Sequence, residues 1–258
     1  MYQEERLIAI ISYLKQHKRI SVEQICTLFD VSRDTARRDL VKLEEEKSIV
    51  RTRGGALLPS HVELKPYLSR LETVSEEKKK IGKLAASLIY EGDRVILDTS
   101  TTVQACAEQL DNINCTVITN SINQADVLSN KSNINIQLLG GTLEKDHRFL
   151  YGASVVNKLS EYYADKAFIG VIGISEEGLT IAHEEDGVVM RKMMQQAKQV
   201  IVLADHTKLG NTDFFKYAHL SDVDLLITDK IPPKPFSELL QQYDVELLTA
   251  DEEQTGDD

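Results

Sequence analysis

Apolar residues recur at helical spacing in three consecutive segments of the first fifty positions. The first predicted helix covers residues 3–18, and a Ser21-x-x-Gln24 capping box opens a second helix. Ser32 is a natural N-cap for a third helix that ends near Lys47. The residues predicted to face a common core are Leu7, Ile8, Ile10, Ile11 and Leu14, then Val22, Ile25, Cys26 and Phe29, then Ala36, Leu40 and Leu43.

The third helix combines its apolar stripe with a cationic face. Thr35, Arg38 and Lys42 project away from the stripe, and Arg33 and Arg37 lie on one flank. The forked donors of arginine fit base edges and phosphates, and threonine can bond to either. Two short helices before a basic third helix form a helix-turn-helix pattern, although the third stretch alone fits a charged surface helix equally well.

Two short β-prone runs in residues 49–58 meet at Gly54-Gly55, directly after the third helix. This position favours a β-wing whose Arg51 and Arg53 touch the DNA backbone or minor groove; the alternative is a hairpin in a larger sheet. The sequence therefore predicts a winged helix-turn-helix DNA-binding domain over residues 1–58. The expected DNA contacts are Ser32, Arg33, Thr35, Arg37, Arg38, Arg51 and Arg53.

From Gly92 onward, short β-branched runs alternate with helical segments. The predicted strands are Val95–Leu97, Thr116–Thr119, Ile134–Leu139, Ala167–Ile172, Val200–Leu203, Leu225–Thr228 and Val245–Leu248. This alternation predicts a Rossmann-like three-layer α/β domain, with helices on both faces of a mainly parallel sheet. We place it at residues 75–250, after a linker at 59–74 and before an acidic tail at 251–258.

The net charge of −11 at pH 7 is unevenly distributed along the chain. Residues 1–60 hold 11 Lys and Arg against 9 Asp and Glu, and the remainder holds 19 against 32. A mildly basic head on an acidic body places the attraction for DNA at one end and keeps non-specific binding weak.

The three cysteines, Cys26, Cys106 and Cys115, are widely spaced and lie in apolar runs. This pattern favours buried free thiols over metal ligands or disulfides. No N-terminal signal or apolar run of bilayer length is evident, so we expect a cytoplasmic protein without a membrane partner.

Small polar residues follow the predicted strands at the edge where ligands of open α/β sheets bind. Hydroxyl and backbone N–H groups that lead into a helix form a phosphate cradle, and Lys208 can add a mobile cation. Asp98 and Asp205 can accept hydrogen bonds from sugar hydroxyls or can orient Lys208. For any single loop, helix capping or a tight turn is a better explanation than ligand binding. Five such strand ends at one edge of the sheet favour ligand binding. The predicted ligand-binding residues are Asp98, Ser100, Thr101, Thr102, Asn120, Ser121, Gly140, Gly141, Asp205 and Lys208.

Two motifs resemble the DeoR family of bacterial transcriptional regulators. The run Ser32-x-x-Thr35-Ala36-Arg37-Arg38-Asp39-Leu40, with Arg6 upstream, resembles that family's recognition helix, and the run from Arg51 to Ala56 resembles its wing. The polar loops of the second domain also match, so the resemblance covers nearly the whole chain. It implies an effector domain that is similar to ribose-5-phosphate isomerase and glucosamine-6-phosphate deaminase and binds a phosphorylated sugar.

Two departures from these patterns bear on the ligand site. Ser100 stands where the family usually has glycine, which adds a Cβ and a hydroxyl to the cradle. Residues 168–173 lack the acidic residues that the isomerases carry there, and Glu184 or Glu185 is left as the one matching carboxylate. Proton transfer along a sugar needs a positioned acid and base. The resemblance therefore implies binding without turnover, with no catalytic residue and no metal site.

We accordingly expect a DNA-binding repressor of a sugar-metabolism operon, not an enzyme. A phosphorylated sugar controls its binding to double-stranded operator DNA. We expect a dimer or tetramer, because one short recognition helix gives limited affinity, and we expect no cofactor. Two alternatives remain at this point: a sugar-phosphate isomerase or deaminase fused to a DNA-binding head, and a head that serves only protein contacts.

Overall fold

Three helices and a small antiparallel sheet form the N-terminal part of the chain. The structure is a computed structural model that describes residues 2–17, 19–46, 48–57, 66–71 and 75–250. The chain divides into two units, residues 1–64 and 65–258. The elements of the first unit are α1 (Gln3–His17), β1 (Arg19–Ser21), α2 (Val22–Phe29), α3 (Arg33–Glu45), β2 (Val50–Thr52) and β3 (Gly55–Leu57).

The predicted capping signals of the first unit are confirmed. Ser21 and Gln24 form the complete capping box of α2, and the Ser32 side chain accepts a hydrogen bond from the Thr35 N–H at the start of α3. Ala36, Leu40 and Leu43 are buried in the shared core, as the apolar stripe predicts. Ile8 is 72% exposed, so its predicted core position is wrong. The inward face of α1 follows residues 7, 10 and 14, and Ile8 is rotated away from it.

The predicted wing forms, with a different turn and an additional strand. The turn is Arg53-Gly54, whereas Gly55 already belongs to β3. Strand β3 lies between β1 and β2 and pairs antiparallel with both. A Cβ at Gly55 would lie 2.0 Å from the Ile20 carbonyl oxygen, so this glycine serves the close strand pairing.

The second unit is a three-layer α/β fold with two antiparallel additions. Its elements are α4 (Tyr67–Leu71), α5 (Glu76–Ala86), β4 (Arg94–Leu97), α6 (Thr101–Glu108), β5 (Cys115–Thr119), α7 (Ile122–Ser129), β6 (Ile134–Leu138), β7 (Thr142–Glu144), β8 (Phe149–Tyr151), α8 (Ala153–Leu159), β9 (Ala164–Gly170), β10 (Gly173–Ser175), β11 (Gly178–Ile181), α9 (Glu184–Gln195), β12 (Ala197–Leu203), β13 (Phe215–Ala218), β14 (Leu225–Thr228), α10 (Lys234–Gln242) and β15 (Glu246–Thr249).

All seven predicted strands join one parallel sheet in the order β15-β14-β12-β9-β4-β5-β6. Alternate residues of each strand enter different cores: Val95 and Leu97 pack with α5 to α7, and Ile96 packs with α8 to α10. This two-sided burial is why the strands read as continuous apolar runs. The strand order reverses between β4 and β9, which makes the carboxyl ends of these two strands the expected ligand crevice.

The antiparallel additions were not predicted. Strands β10, β11 and β13 form one small sheet, and β7 and β8 form a hairpin. The predicted strand Ala167–Ile172 stops at Gly170, before this small sheet begins. Such short strands depend on tertiary partners more than on local pattern.

Part of the expected linker at 59–74 is helical. Helix α4 lies within it, and Tyr67 is fully buried in the second unit. Its N–H donates to the Asp146 carbonyl oxygen at 2.8 Å. Residues 59–65, 72–74 and the predicted tail at 251–258 lie outside the described residues.

Cys106 and Cys115 are buried free thiols, as expected, and Cys26 is a half-buried one. Among the described segments, no helix is both long and apolar enough to cross a bilayer.

Candidate functional sites

The cationic residues of α3 are presented on its outer face. Arg37 and Arg38 are exposed. Thr35 is half-buried, and its hydroxyl oxygen lies 3.0 Å from that of Ser32. Arg33 pairs with Glu23 at 2.9 Å, but both side chains are largely exposed. Such a pair contributes little to stability, so the Arg33 guanidinium can exchange this carboxylate for another anionic partner.

The wing presents the other two predicted arginines. Arg53 is exposed at the turn, and Arg51 pairs with Glu44 of α3 at 3.3 Å. This pair connects the strand of the wing to the recognition helix. The structure therefore displays all seven predicted DNA contacts on α3, its N-cap and the wing.

A buried ion pair that the sequence analysis did not assign holds α3 against α1. Arg6 binds both carboxylate oxygens of Asp39, with Nε to Oδ2 at 2.5 Å and Nη2 to Oδ1 at 3.1 Å. Gln3 donates a third hydrogen bond to Asp39 at 3.0 Å. The Asp39 side chain is fully buried. The signal available in the sequence was an arginine within the apolar stripe of α1 and an aspartate within the stripe of α3.

In the second unit, the Asp98 loop is shaped by its own side chains. Asp98 accepts hydrogen bonds from the Ser100 N–H at 2.8 Å and the Gly170 N–H at 2.6 Å, which joins the ends of β4 and β9. Burial raises the pKa of Asp98 to about 6, although these N–H groups oppose the rise. The Ser100 hydroxyl caps α6 by accepting from the Val103 N–H.

Ser100 and Gly170 are sterically matched. A Cβ at position 170 would lie 2.2 Å from the Ser100 hydroxyl oxygen. The hydroxyl that departs from the family pattern therefore occupies space that the glycine leaves open at the β4–β9 crevice.

Lys78 lies at the N-terminus of α6, close enough to Lys208 for the two charges to interact. Lys78 Nζ donates to the Thr101 hydroxyl at 3.1 Å. Its pKa is lowered, first by burial and then by the nearby charge of Lys208. Lys208 is half-buried in the turn after Asp205. The run of residues 76–80 looks in the sequence like a solvated face, but Lys78 turns toward the crevice. Two cations that repel each other beside a helix N-terminus are an arrangement that an anion stabilises.

Arg70 of α4 is a third cation of this site. It lies near Asp98 and Asp186, and its guanidinium carbon is 5.3 Å from the centre of the Tyr67 ring. Burial lowers its pKa, and the neighbouring acids act in the opposite direction. The Tyr67 hydroxyl donates to Gln104 Oε1 of α6. Because Arg70 lies in the expected linker, its position could not be predicted from the local sequence.

The carboxylate that turns inward at the start of α9 is Asp186. Glu184 and Glu185 are exposed, whereas Asp186 is 7% exposed. Burial, and then the charge of Asp98, raise the pKa of Asp186 to about 7, while Arg70 opposes the rise. The linear sequence carries no signal that separates three consecutive acids, since only the helix phase decides which one is buried.

The remaining predicted residues lie at neighbouring strand ends. Asn120 is buried and donates to the Leu150 carbonyl oxygen at 2.8 Å, and Ser121 caps α7. Gly140 is open, but a Cβ at Gly141 would lie 2.6 Å from the Tyr151 carbonyl oxygen, so Gly141 serves a close backbone contact. Thr102 and Asp205 are buried. The Asp205 carboxylate accepts from the Thr207 N–H, which shapes the loop before Lys208.

A winged helix-turn-helix unit joined to an α/β unit with a cationic crevice defines a DNA-binding regulator with a ligand-sensing domain. Residues 6–62 match the model of the DeoR-like helix-turn-helix domain, and residues 73–230 match that of the DeoR C terminal sensor domain. The chain belongs to the DeoR family of transcriptional regulators. Membership in this family makes it a regulator rather than an enzyme.

Relatives of known name support this assignment. The chain is 67% identical over 258 residues to the HTH-type transcriptional repressor GlcR of Bacillus subtilis (strain 168), with 100% of both chains covered. It is 32% identical to the glycerol-3-phosphate regulon repressor of Escherichia coli (strain K12), covering 96% of this chain and 99% of that one.

Solved structures show partial likeness. Ribose 5-phosphate isomerase A from Methanocaldococcus jannaschii matches 51% of this chain and 53% of its own, with 21% identity and a TM-score of 0.37. The eIF2B beta subunit from Chaetomium thermophilum matches 65% of this chain and 53% of its own, with 16% identity and a TM-score of 0.46. At this level the likeness has no bearing on function.

Proposed function

We propose that this protein is a repressor of a sugar-metabolism operon, and that a phosphorylated sugar in the second unit controls its affinity for operator DNA. The observation that carries the proposal is the pair of lysines at the N-terminus of α6. Burial, and then the charge of Lys208, lower the pKa of Lys78, and a bound phosphate would favour the charged ammonium group. The named relatives, both repressors, support the regulatory role.

The phosphate lies between the N-terminus of α6 and the two lysines. Backbone N–H groups at the helix start, the Thr101 and Thr102 hydroxyls and the ammonium groups supply its donors. Asp98 keeps the loop in shape, since two backbone N–H groups already occupy its carboxylate. This assignment adds Lys78 and Arg70 to the ligand-binding residues that the sequence predicts.

The DNA-binding role assigns direct readout to α3 and backbone contact to the wing. Arg37 and Arg38 face the major groove, and Arg51 and Arg53 reach the phosphates or the minor groove. A homo-oligomer, dimer or tetramer, presents two such heads to paired half-sites. We place the protein in the cytoplasm, in keeping with its free thiols.

A thermal-shift panel of sugars and their phosphates on the purified full chain tests the sensing role. A ligand that binds only the folded state raises the melting temperature by mass action. We expect a shift with one phosphorylated sugar and none with its free form. No shift with any member of the panel, at concentrations up to several millimolar, would remove the support for phosphate-dependent sensing.

A further inference from the structure

Five buried polar atoms of the second unit have no hydrogen-bond partner. Elsewhere in the described ranges, every buried side-chain nitrogen or oxygen has one. The five are Asn120 Oδ1, Asn123 Nδ2, Gln124 Oε1, His147 Nδ1 and Asp186 Oδ1. Buried polar groups in folded proteins are almost always paired, so these five atoms are positions where a ligand or an ordered water can bind.

The three amide side chains of this group are fixed by hydrogen bonds at their other ends. Gln124 Nε2 donates to the carbonyl oxygens of Asp98 at 2.7 Å and Ser100 at 3.2 Å, the residues that shape the predicted phosphate loop. Asn123 Oδ1 accepts from Arg148 Nε at 2.7 Å. Asn120 Nδ2 likewise donates to the Leu150 carbonyl oxygen at 2.8 Å. These three side chains thus hold their unpaired atoms in defined positions, as a preorganised binding site requires.

Arg70 shows that Asp186 and His147 lie in the same region as the Asp98 loop. Its charge acts on Asp98, Asp186 and His147, which come from three different elements or loops. The His147 ring lies 5.6 Å from the ring of His183, just before α9. The unpaired atoms therefore lie around the crevice that also contains the lysine pair.

Asp186 is the strongest acceptor of the group. Its side chain belongs to a residue that is 93% buried, and Oδ1 has no donor. Gly187 allows the first turn of α9 to pack closely on Phe215, because a Cβ there would lie 2.5 Å from the ring. This packing fixes the inward direction of the turn that carries Asp186.

We propose that these five atoms form a hydroxyl-reading subsite for the polyhydroxylated end of the effector, with Asp186 Oδ1 as its main acceptor. The proposal rests on the proposed function, which places the phosphate at Lys78 and Lys208. Carbonyl and carboxylate oxygens accept from hydroxyls, and the Asn123 amide donates to one. Several neighbouring hydroxyls satisfy this set, so the subsite selects a sugar phosphate over its deoxy analogues and over inorganic phosphate.

Calorimetric titration of the full chain tests the subsite. The probes are ribose, fructose, glucose and glucosamine phosphates, 2-deoxyribose 5-phosphate, 2-deoxyglucose 6-phosphate and inorganic phosphate. We expect Asp186→Asn to weaken binding of the preferred sugar phosphate at least about tenfold, because a charge-assisted hydrogen bond is lost. Affinity for inorganic phosphate should change less than about twofold, and the melting temperature without ligand should not fall. Asp126→Asn, which changes an exposed carboxylate, is the matched control.

The outcomes separate the subsite from the proposed function. Wild-type protein that binds no sugar phosphate overturns both. Sugar-phosphate binding that Lys208→Ala abolishes but Asp186→Asn leaves unchanged overturns the subsite alone. A lower melting temperature of Asp186→Asn, with equal loss of affinity for sugar phosphate and inorganic phosphate, makes Asp186 structural and also overturns it. Asn123→Ala is a second variant, and it should show the same selective loss of affinity for the sugar phosphate.

Discussion

At the residue scale, the informative side chains are buried charges with different partners. The Asp39 carboxylate is fully paired by Arg6 and Gln3, whereas Asp186 keeps an unpaired oxygen. Both carboxylates are excluded from water, so their partners decide their energetic effect. A fully hydrogen-bonded ion pair stabilises the fold. A buried acceptor without a donor marks a place where a ligand can supply the missing hydrogen bond.

Loss of the Arg6–Asp39 ion pair should make the first unit less stable. We expect Arg6→Met to lower its free energy of unfolding by about 3 kcal/mol, because Asp39 would remain buried without its cation. Arg33→Ala removes an exposed pair and should cost less than about 1 kcal/mol. Thermal or urea melts of the two variants provide the comparison, and equal destabilisation would contradict the role assigned to burial.

Asp186 should make the second unit less stable as pH rises. Its pKa in the folded protein is raised to about 7, so between about pH 4 and 7 the folded state binds more protons than the unfolded state. Its contribution to the free energy of unfolding therefore falls across that range. Asp98, Arg70 and Tyr217 are the titratable groups around it.

Melting temperatures at pH 5, 6, 7 and 8 measure this effect. Asp186→Asn should flatten the curve and gain about 1 kcal/mol or more over wild type at pH 8, since no ionised acid is then buried. Asp126→Asn should follow the wild-type curve. Parallel curves for Asp186→Asn and wild type would mean that Asp186 does not titrate in this range.

At the element scale, the sequence predicts the elements whose burial follows local periodicity. The seven strands of the main sheet and the three helices of the first unit are confirmed because each buries a regular stripe or run. Helix α4 and the strand pairs β7–β8 and β10–β11 were not predicted, since they form against distant segments. Lys78 and Arg70 were missed for the same reason, as both turn toward the crevice through contacts between elements.

Helix α5 contributes to the ligand site through Lys78. Lys78→Gln should weaken binding of the sugar phosphate about tenfold, because one of two adjacent cations is lost. Lys79→Gln, which changes an exposed lysine on the same helix, is the control, and calorimetric titration is the measurement. Equal effects of the two substitutions would mean that Lys78 acts only through net charge.

At the scale of the whole molecule, we expect the acidic residues 61–258 to limit binding to random DNA and the mildly basic first 60 residues to provide the attraction. Operator affinity should therefore fall steeply with salt, because each neutralised phosphate releases counterions. Arg53→Gln should weaken binding to operator and random duplexes alike and reduce the slope of log K against log salt by about 1 per head. Arg38→Ala should instead reduce discrimination between operator and random DNA. A loss of specificity with Arg53→Gln would contradict a phosphate contact and place Arg53 in the minor groove instead.

The coupling between the two units is tested by measuring operator affinity with and without the sugar phosphate that stabilises the protein. Fluorescence anisotropy with a duplex selected from a random pool gives this affinity for wild type and for Lys208→Ala. We predict that the sugar phosphate changes the wild-type affinity about fivefold or more, the usual scale of allosteric coupling. Lys208→Ala should bind the duplex normally and lose the response. Operator affinity that is unchanged by the bound sugar phosphate would mean that this ligand does not control DNA binding.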